Sequence, residues 1–342
     1  MYDDCSSDIA TYHDDEVTLP ASKQKEMRTR RDTNRDRLRS GLKRDKKPEP
    51  SAFHKQGSYA MKTMVQDSDQ DFDIDDGAYF EKADLQDDSG GDMSAPAARQ
   101  MVCDALQDGA FKKRPKVEDN CVRVFYNEGY HIDVPVYRRW DDGGKKRIEL
   151  ASGSWKDADA RGVTEWFEKE NARLSPKDTG EGQFRRVARL LKKFSRSRDD
   201  WKDKNASGFL ITTLCSEVFS GNKDREDRAL RSVMQSMRDR LAKDLKVRHP
   251  VVEGDMITKG EGDQKAAFFR DKLNENLKHL EILDGDECTR KQALSAWGKV
   301  FNDSWFDAQD DSGGKARSTP AIVTSRDTEY EPVDKRGGGR YA

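Results

Sequence analysis

The sequence lacks the features of a membrane or a disulfide-stabilised protein. No stretch approaches the roughly 18 consecutive apolar residues that a membrane-spanning helix requires, and the acidic start Met1-Tyr2-Asp3-Asp4 has none of the basic and apolar character of a signal peptide. The five cysteines are an odd number and include no Cys-x-x-Cys pair. They therefore argue against a disulfide framework and against a cysteine-ligated zinc site. These absences predict a soluble, cytoplasmic protein with no membrane partner.

The charge is high but segregated along the chain. Charged residues make up 37% of the sequence and hydrophobic residues 34%, while the formal net charge is only −2. Residues 1–20 are acidic, residues 23–47 hold twelve Lys or Arg against four acids, and residues 67–92 are acidic again. The net charge therefore says little about partners, whereas the basic segment keeps nucleic-acid binding open as a hypothesis.

The length of 342 residues favours two lobes with additional tails. Residues 1–20 carry few large apolar groups and end at Pro20, so we predict a flexible acidic arm. Residues 21–160 mix helix and strand patterns, beginning with a long helix at 23–42, and residues 161–310 show helix patterns only. Residues 311–342 are small and polar and predict a disordered tail. The pattern as a whole indicates an α+β fold.

Local patterns place the elements of the mixed region. Residues 54–58 read as a loop with a Gly-Ser turn, and residues 59–65 as the start of a helix. Residues 72–80 alternate as a strand does, although acids occupy positions where Thr or Val is usual. An amphipathic helix capped by Ser94 follows. Residues 121–137 predict a β-hairpin whose loop lies at 127–129.

The acids on the predicted strands are the candidate catalytic residues. Alternation along a strand places Asp73 and Asp75 on one side and Ile74 on the other. In the hairpin, Ile132 and Val134 can be buried, which leaves Asp133 on the opposite face. Three carboxylates on one face repel one another unless cations neutralise them, and oxygen ligands suit Mg²⁺. The pattern predicts two Mg²⁺ ions roughly 3.5–4 Å apart that assist a phosphoryl-group reaction.

The Gly57-Ser58 turn precedes this acidic strand and predicts a phosphate site. Glycine allows close approach of the backbone, and free N–H groups at the start of a helix favour an anion. A Gly-Ser pair is a common structural turn by itself, and acidic loops are usually solvated surface. The three features occur together and in one order: the Gly-Ser turn, then Asp73-Ile74-Asp75, then Asp133. This combination favours metal-assisted nucleotidyl transfer over a structural turn and solvated acidic loops.

Three segments resemble the signature segments of the CD-NTase family, the bacterial cGAS/DncV-like nucleotidyltransferases of the polymerase-β superfamily. They are Gln56-Gly57-Ser58-Tyr59, Asp73-Ile74-Asp75-Asp76-Gly77-Ala78-Tyr79 and His131-Ile132-Asp133-Val134-Pro135-Val136-Tyr137. The resemblance is to the branch that contains the bacterial cyclic GMP-AMP synthase. It implies a two-lobed fold in which a mixed sheet lobe, the nucleotidyltransferase core at 21–160, is followed by a helical lobe. It also implies synthesis of a cyclic oligonucleotide from ribonucleoside triphosphates such as ATP and GTP.

The resemblance also implies roles for individual residues. Asp73, Asp75 and Asp133 would be the ligands of Mg²⁺, with Mn²⁺ as a substitute. The nucleotide-binding residues implied by the resemblance are Gln56, Gly57, Ser58, Lys192 and Ser207. The match is weaker around the last two of these. From the sequence alone, Lys192 reads more simply as a solvent-facing lysine on a basic helix, and Ser207 as a helix N-cap. Residues 152–155 match the family only loosely.

The partners implied by the resemblance belong to bacterial antiphage (CBASS) signalling. The product would activate a separate effector protein, and a ubiquitin-like conjugating enzyme could act on Ala342 at the end of the tail. Two alternatives remain. The first is a nucleotidyltransferase that makes a linear product or modifies an RNA end. The second is a nucleic-acid-binding protein acting through residues 23–47, although this segment lacks interleaved aromatic residues and nucleic acid is the less favoured partner.

Overall fold

The computed structural model describes residues 4–66, 73–109, 113–126, 131–177 and 179–312, without the side chains of 73 and 310–312. The hairpin loop predicted at 127–129 and the predicted tail beyond residue 312 lie outside these ranges. The strands are β1 (Ala52–Gln56), β2 (Asp73–Glu81), β3 (Lys116–Val117), β4 (Val122–Phe125), β5 (His131–Val134), β6 (Val136–Asp142), β7 (Lys145–Ala151) and β8 (Trp155–Asp157).

The helices occupy both ends of the described chain and dominate its second half. They are α1 (Ser6–Tyr12), α2 (Ala21–Arg44), α3 (Gly57–Ala60), α4 (Ala95–Ala105), α5 (Ala160–Leu174), α6 (Gln183–Ser195), α7 (Gly208–Val218), α8 (Glu226–Lys243), α9 (Gln264–Leu277) and α10 (Arg290–Phe301). Among the described helices, none is long and apolar enough to cross a membrane. The combination of one mixed sheet with many helices confirms the predicted α+β class.

Strand β2 organises the sheet because three other strands pair with it. β1 pairs with it antiparallel, while β5 and β6 pair with it in parallel at successive positions. β5 and β6 are separated only by Pro135, which has no N–H to donate, and its carbonyl accepts a hydrogen bond from the Ala78 N–H at 2.9 Å. The outer strands extend the sheet in the order β3-β4-β5-β2-β6-β7-β8.

The buried side chains form two hydrophobic clusters. The sheet core joins one face of the sheet to α2 and α4, with Ile74, Phe80 and Ile132 of the strands fully buried. The helical core contains side chains from each of the helices α6 through α10, and Phe194 and Trp297 are among its largest side chains. The second cluster also takes in side chains from the beginning of the chain, which the sequence patterns did not predict.

The prediction of a flexible arm at 1–20 is wrong for the residues that the structure describes. Ser6–Tyr12 form α1, a π-helical turn follows at His13–Val17, and both pack into the helical core. Ile9 and Tyr12 are fully buried, and the Tyr12 hydroxyl donates to Asp303 at 3.0 Å. Cys5, Ile9 and Tyr12 are spaced so that they face the same side, toward the helical core, and this periodicity outweighs the acidic composition of the segment.

Helix α2 packs against the sheet core through Met27, Leu38 and Leu42. Two of its arginines pair with acids of other elements: Arg35 with Asp76 and Arg37 with Asp108. Gly41 is required for the close approach to α4, because a Cβ atom there would overlap the backbone carbonyl of Ala105. The basic segment thus serves at least in part to hold α2 on the sheet lobe.

Several strands occur where no strand was expected. The loop predicted at 54–58 is largely β1, and the helix expected at 59–65 is instead the short α3, which begins at Gly57. The hairpin of β7 and β8 was not predicted, because Lys145–Ala151 begins with charged residues and its partner strand has only three residues. Neighbouring strands, rather than local alternation, stabilise these segments.

Because Ile9 of α1 is fully buried in the helical core, we predict that truncating its side chain lowers the stability of the fold. We expect Ile9→Ala to lower the free energy of unfolding by about 2–4 kcal/mol, since it leaves a cavity in the helical core. Denaturant unfolding followed by circular dichroism measures this cost. Ser7→Ala, at an exposed position of the same helix, is the control and should change stability by less than about 0.5 kcal/mol. Equal stability of Ile9→Ala and the wild type would show that the segment is loosely attached.

Candidate functional site

The parallel pairing of β2 with β5 brings two of the predicted catalytic acids side by side. In this register Asp75 lies opposite Asp133, and Asp73 lies opposite His131. Ile74 and Ile132 point into the sheet core, so Asp75 and Asp133 share the opposite face. The structure describes the backbone of Asp73 but not its side chain.

Asp133 is held by an arginine of the neighbouring strand. Arg123 of β4 lies directly opposite it and donates from Nε to Oδ1 at 2.7 Å and from Nη2 to Oδ2 at 2.6 Å. The Asp133 side chain is only 10% exposed. A bidentate pair of this kind offsets the cost of placing a carboxylate beside Asp75 in a poorly solvated position. In this arrangement both Asp133 oxygens are occupied by the guanidinium.

Gly57 closes the site on the other side of β2. Its φ of +63° lies in the left-handed region, and a Cβ atom at this position would overlap the Asp75 carboxylate. Glycine is therefore required both by its backbone conformation and by the approach of the acid. The preceding residue, Gln56, is buried and donates from Nε2 to the Tyr137 hydroxyl at 2.9 Å.

These residues line a cavity of about 450 Å³ on the open face of the sheet. Its wall includes Gln56, Asp75, Arg123, Asp133 and Tyr137. Tyr137 stacks on Tyr79 with the ring centroids 4.5 Å apart. The cavity therefore combines acids, an arginine and a buried polar residue in one space of the size that small ligands occupy.

Lys192 is buried, so the simplest interpretation of the sequence, a solvent-facing lysine, is wrong. It is 4% exposed, and its ammonium donates to Thr63 Oγ1 at 2.7 Å and to the Thr63 carbonyl at 3.3 Å. Thr63 in turn donates its backbone N–H to the Ser58 carbonyl at 2.8 Å. One short series of contacts therefore links Lys192 to the Gly57-Ser58 turn.

Ser207 lies at the start of α7, next to the same lysine. Its hydroxyl accepts a hydrogen bond from the Leu210 N–H at 3.2 Å, so the N-cap predicted from the sequence is present. A Cβ atom on the following residue, Gly208, would lie 3.3 Å from Lys192 Cε. The structure thus brings Ser58, Lys192 and the beginning of α7 into one neighbourhood.

Burial lowers the pKa of Lys192 to about 7, with smaller contributions from Arg196 and Arg189. Burial without an acidic partner disfavours the charged amine. Its hydrogen bonds to Thr63 only partly replace the water that the ammonium loses. A buried lysine of this kind is suited to receive an anion, because a nearby negative charge restores the preference for the protonated form.

Sequence reasoning missed Arg123 and Thr63 as members of this region. Arg123 could have been found, because Val122 and Val124 alternate with it in the predicted hairpin and face the core. That pattern places Arg123 on the same face as Asp133. Thr63 could not have been found from local sequence, because its contact with Lys192 joins positions 129 residues apart.

The donor set fits a divalent cation in its chemistry. Asp75 and Asp133 provide carboxylate oxygens on adjacent strands, the ligand type that Mg²⁺ prefers. An ion bound to Asp133 would have to displace at least one of its contacts with Arg123. Among the side chains that the structure describes, a set that omits Asp73, no group of three or more His, Cys, Asp or Glu is arranged to hold a metal ion.

The fold is shared with solved bacterial enzymes. A dinucleotide cyclase (DncV) mutant from Vibrio cholerae aligns with a TM-score of 0.71 at 14% identity, over 87% of this chain and 95% of that one. CdnC of Escherichia coli MS115-1, solved with ATP, aligns with a TM-score of 0.66 at 18% identity, over 87% and 98%. V. cholerae DncV in complex with the linear intermediate 5′ pppA(3′,5′)pG gives 0.67 at 16% identity, over 84% and 92%.

Residues 51–137, which carry the acidic strands and the Gly-Ser turn, match the family model described as cyclic GMP-AMP synthase DncV-like, nucleotidyltransferase domain. Fold and site together define a nucleotidyltransferase with the polymerase-β-like architecture predicted from the sequence. Over residues 51–137 the chain is similar to the DncV-like nucleotidyltransferases, the family that the sequence segments resemble. The predicted enzyme class is thereby confirmed.

The lowered pKa of Lys192 predicts a pH-dependent difference in stability. Below pH 7 the amine is charged in both states, so folding carries the full cost of burying the charge. Between about pH 7 and the ordinary value of 10.5, the folded protein releases a proton that the unfolded chain retains. Wild-type stability should therefore rise with pH relative to Lys192→Met, by at most about 1.4 kcal/mol per pH unit.

Denaturant titrations at several pH values between 6.5 and 10, about the range set by this pKa, measure the difference. Lys193→Met, at a partly exposed position of the same helix, controls for the loss of a lysine and should follow the wild type. A constant difference between the wild type and Lys192→Met across this range would rule out the lowered pKa.

Proposed function

We propose that this nucleotidyltransferase joins ribonucleoside triphosphates into a cyclic di- or oligonucleotide in a reaction that depends on Mg²⁺. The observation that supports it best is the register of β2 and β5, which sets Asp75 beside Asp133 with Gly57 against the Asp75 carboxylate. The solved relatives add support, because their structures include DncV with GTP, CdnC with ATP and DncV with a linear dinucleotide intermediate.

Each part of the site has a role in this proposal. Asp73, Asp75 and Asp133 would hold divalent cations, two Mg²⁺ ions by preference and Mn²⁺ as a substitute. When bound, such ions supply charge neutralisation for the triphosphate and activation of a ribose hydroxyl. Gln56, Gly57 and Ser58 would lie against the donor nucleotide, and the left-handed backbone at Gly57 would let the phosphates approach closely.

Lys192 and Ser207 would hold the triphosphate from the helical side. Lys192 now donates to Thr63, and in the nucleotide complex the same ammonium would donate to a phosphate oxygen. Arg123 would leave at least part of its contact with Asp133 as the cation binds. When the nucleotide binds, contacts between residues of the chain would thus be replaced by contacts with the nucleotide and the cation.

The cellular role in this proposal is bacterial antiphage signalling of the CBASS type. The cyclic product would activate a separate effector protein. Ala342 and the tail, which could be substrates of a ubiquitin-like conjugating enzyme, lie outside the described residues. The alternatives of a linear product and of RNA-end modification use the same acids. The alternative of a nucleic-acid-binding protein is weakened, because Arg35 and Arg37 of α2 are paired with Asp76 and Asp108 of the sheet lobe.

Product analysis tests the proposal directly. The purified protein is incubated with the four ribonucleoside triphosphates and Mg²⁺, then with phosphatase, and resistant products are identified by mass spectrometry. We expect a cyclic oligonucleotide from the wild type. Asp75→Asn and Asp133→Asn should each reduce it by about 100-fold or more, the scale of losing one preorganised electrostatic group.

Glu81→Gln is the matched control, because Glu81 lies on the same strand as Asp75 but pairs with Arg139 away from the site. It should retain wild-type turnover. A linear product in place of the cyclic one would support the linear-transferase alternative. Full activity in a folded Asp75→Asn or Asp133→Asn variant would exclude these acids as catalytic residues.

Nucleotide binding should also take up a proton at Lys192. At pH 8 the amine is mainly neutral, because its pKa is about 7, and a triphosphate beside it would raise that pKa. Calorimetric titration with ATP in buffers of different ionisation enthalpy measures the uptake. We expect a fraction of a proton, on the order of 0.5 or more per nucleotide, for the wild type and a reduced value for Lys192→Met. Equal proton uptake by the two proteins would show that Lys192 does not contact the triphosphate.

A further inference from the structure

The turn that carries Gly57 and Ser58 ends in a backbone conformation that its surroundings must hold. Lys62 has a φ of +54°, in the left-handed region that residues other than glycine seldom adopt. Such a conformation persists where neighbouring groups fix it, and it often marks a position whose geometry serves function. The contacts of the Lys62 backbone are therefore part of what positions the turn.

Arg189 of α6 supplies one of these contacts. Its Nε donates to the Lys62 carbonyl at 2.8 Å. Its terminal nitrogens are bidentate on Glu181, with Nη1 donating to Oε1 at 2.5 Å and Nη2 to Oε2 at 2.7 Å. Arg189 is 5% exposed, so protein groups rather than bulk water orient its guanidinium. Nη1 carries a second hydrogen, which needs an acceptor of its own.

His13 of the N-terminal π-helical turn is that acceptor. Arg189 Nη1 lies 3.1 Å from His13 Nε2, and a guanidinium can only donate. A proton on Nε2 would set one N–H against another, so the proton of the neutral ring lies on Nδ1. From there it is donated to Asp14 Oδ1 at 2.9 Å. His13 is 1% exposed, and its two ring contacts therefore fix its tautomer.

The N-terminal segment also contacts the far end of the same turn. Thr18 forms an antiparallel bridge with Val65, and Gln66 donates its backbone N–H to the Val17 carbonyl at 2.9 Å. The side-chain amide of Gln66 donates to the Thr18 carbonyl at 2.8 Å. The N-terminal segment thus holds the turn directly at its end, and in its middle through Arg189.

We propose that His13 is a positioning residue for nucleotide binding. It orients Arg189, Arg189 holds the Lys62 carbonyl, and the turn thereby keeps Gly57 and Ser58 in place. This role rests on the proposed function, in which those two residues meet the triphosphate. π-Helical turns occur frequently at functional sites, and this one acts on the site through α6 rather than by touching the nucleotide.

The tautomer of His13 tests the first step in the unmodified protein. Selective ¹⁵N-histidine labelling and two-dimensional NMR distinguish a proton on Nδ1 from a proton on Nε2, and His13→Gln assigns the resonances. We expect the Nδ1–H form in the nucleotide-free protein at slightly alkaline pH. A proton on Nε2 would overturn the proposal, because that ring could not accept from Arg189. This result does not depend on the folding of a destabilised variant.

Two substitutions test whether the contact reaches the turn. His13→Leu removes the acceptor, whereas His13→Gln supplies another. The reporters are the amides of Met61 and Thr63, which donate to the Gly57 and Ser58 carbonyls. We expect His13→Leu to speed their hydrogen exchange by about 10-fold, the scale of one hydrogen bond, and to weaken ATP binding by a similar factor. His13→Gln should recover most of both losses.

His279→Gln, at an exposed position, controls for the loss of a histidine and should match the wild type. Wild-type exchange and ATP affinity in a folded His13→Leu variant would overturn the proposal. An equal rise in exchange throughout α9 and α10 would also overturn it, because His13 would then serve only the stability of the fold. A wild-type protein that does not bind ATP would overturn the proposed function and the role of His13 in binding. The exchange rates would still decide whether His13 holds the turn.

Discussion

The parallel pairing of β2 with β5 is the constraint on which the functional region depends. It places two carboxylates on adjacent strands, where they repel each other. The sheet can hold them only because Arg123 takes both oxygens of Asp133 and because Gly57 leaves room for Asp75. If β2 slipped by one residue relative to β5, Ile74 would move to the open face and Asp75 to the apolar face, while Ile132 and Asp133 stayed in place. The burial of the apolar face of the sheet therefore maintains the position of the acids on the other face.

The site lies where the two hydrophobic cores meet. The turn after β1 leaves the sheet lobe, and Met61 and Val65 of this turn are buried in the helical core. Arg189 of α6 donates to the carbonyl of Lys62 at 2.8 Å, and Lys192, one turn later, donates to Thr63. Contacts from the helical lobe thus fix the turn that carries Gly57 and Ser58. A change in the position of α6 would therefore move the Gly57-Ser58 turn as well.

The sequence was informative wherever function constrains a short segment. Acids that interrupt an apolar strand pattern, as at Asp75 and Asp133, have few structural explanations, and the alternation predicted their common face. It was uninformative where long-range contacts decide the structure. The β7–β8 hairpin depends on pairing with β6, and the burial of Lys192 depends on a threonine from the other lobe. The side chain of Asp73 and the roles of the site residues remain predictions.

The docking of α1 has a consequence for how the chain can fold during its synthesis. Cys5 donates its backbone N–H to Asp227, and the hydroxyl of Tyr12 bonds to Asp303, a separation of 291 residues. Helix α1 is made before the rest of its binding surface, which is complete only when Asp303 and the residues that follow α10 have been made. Its apolar face therefore stays unprotected throughout translation, and closing so long a loop is slow.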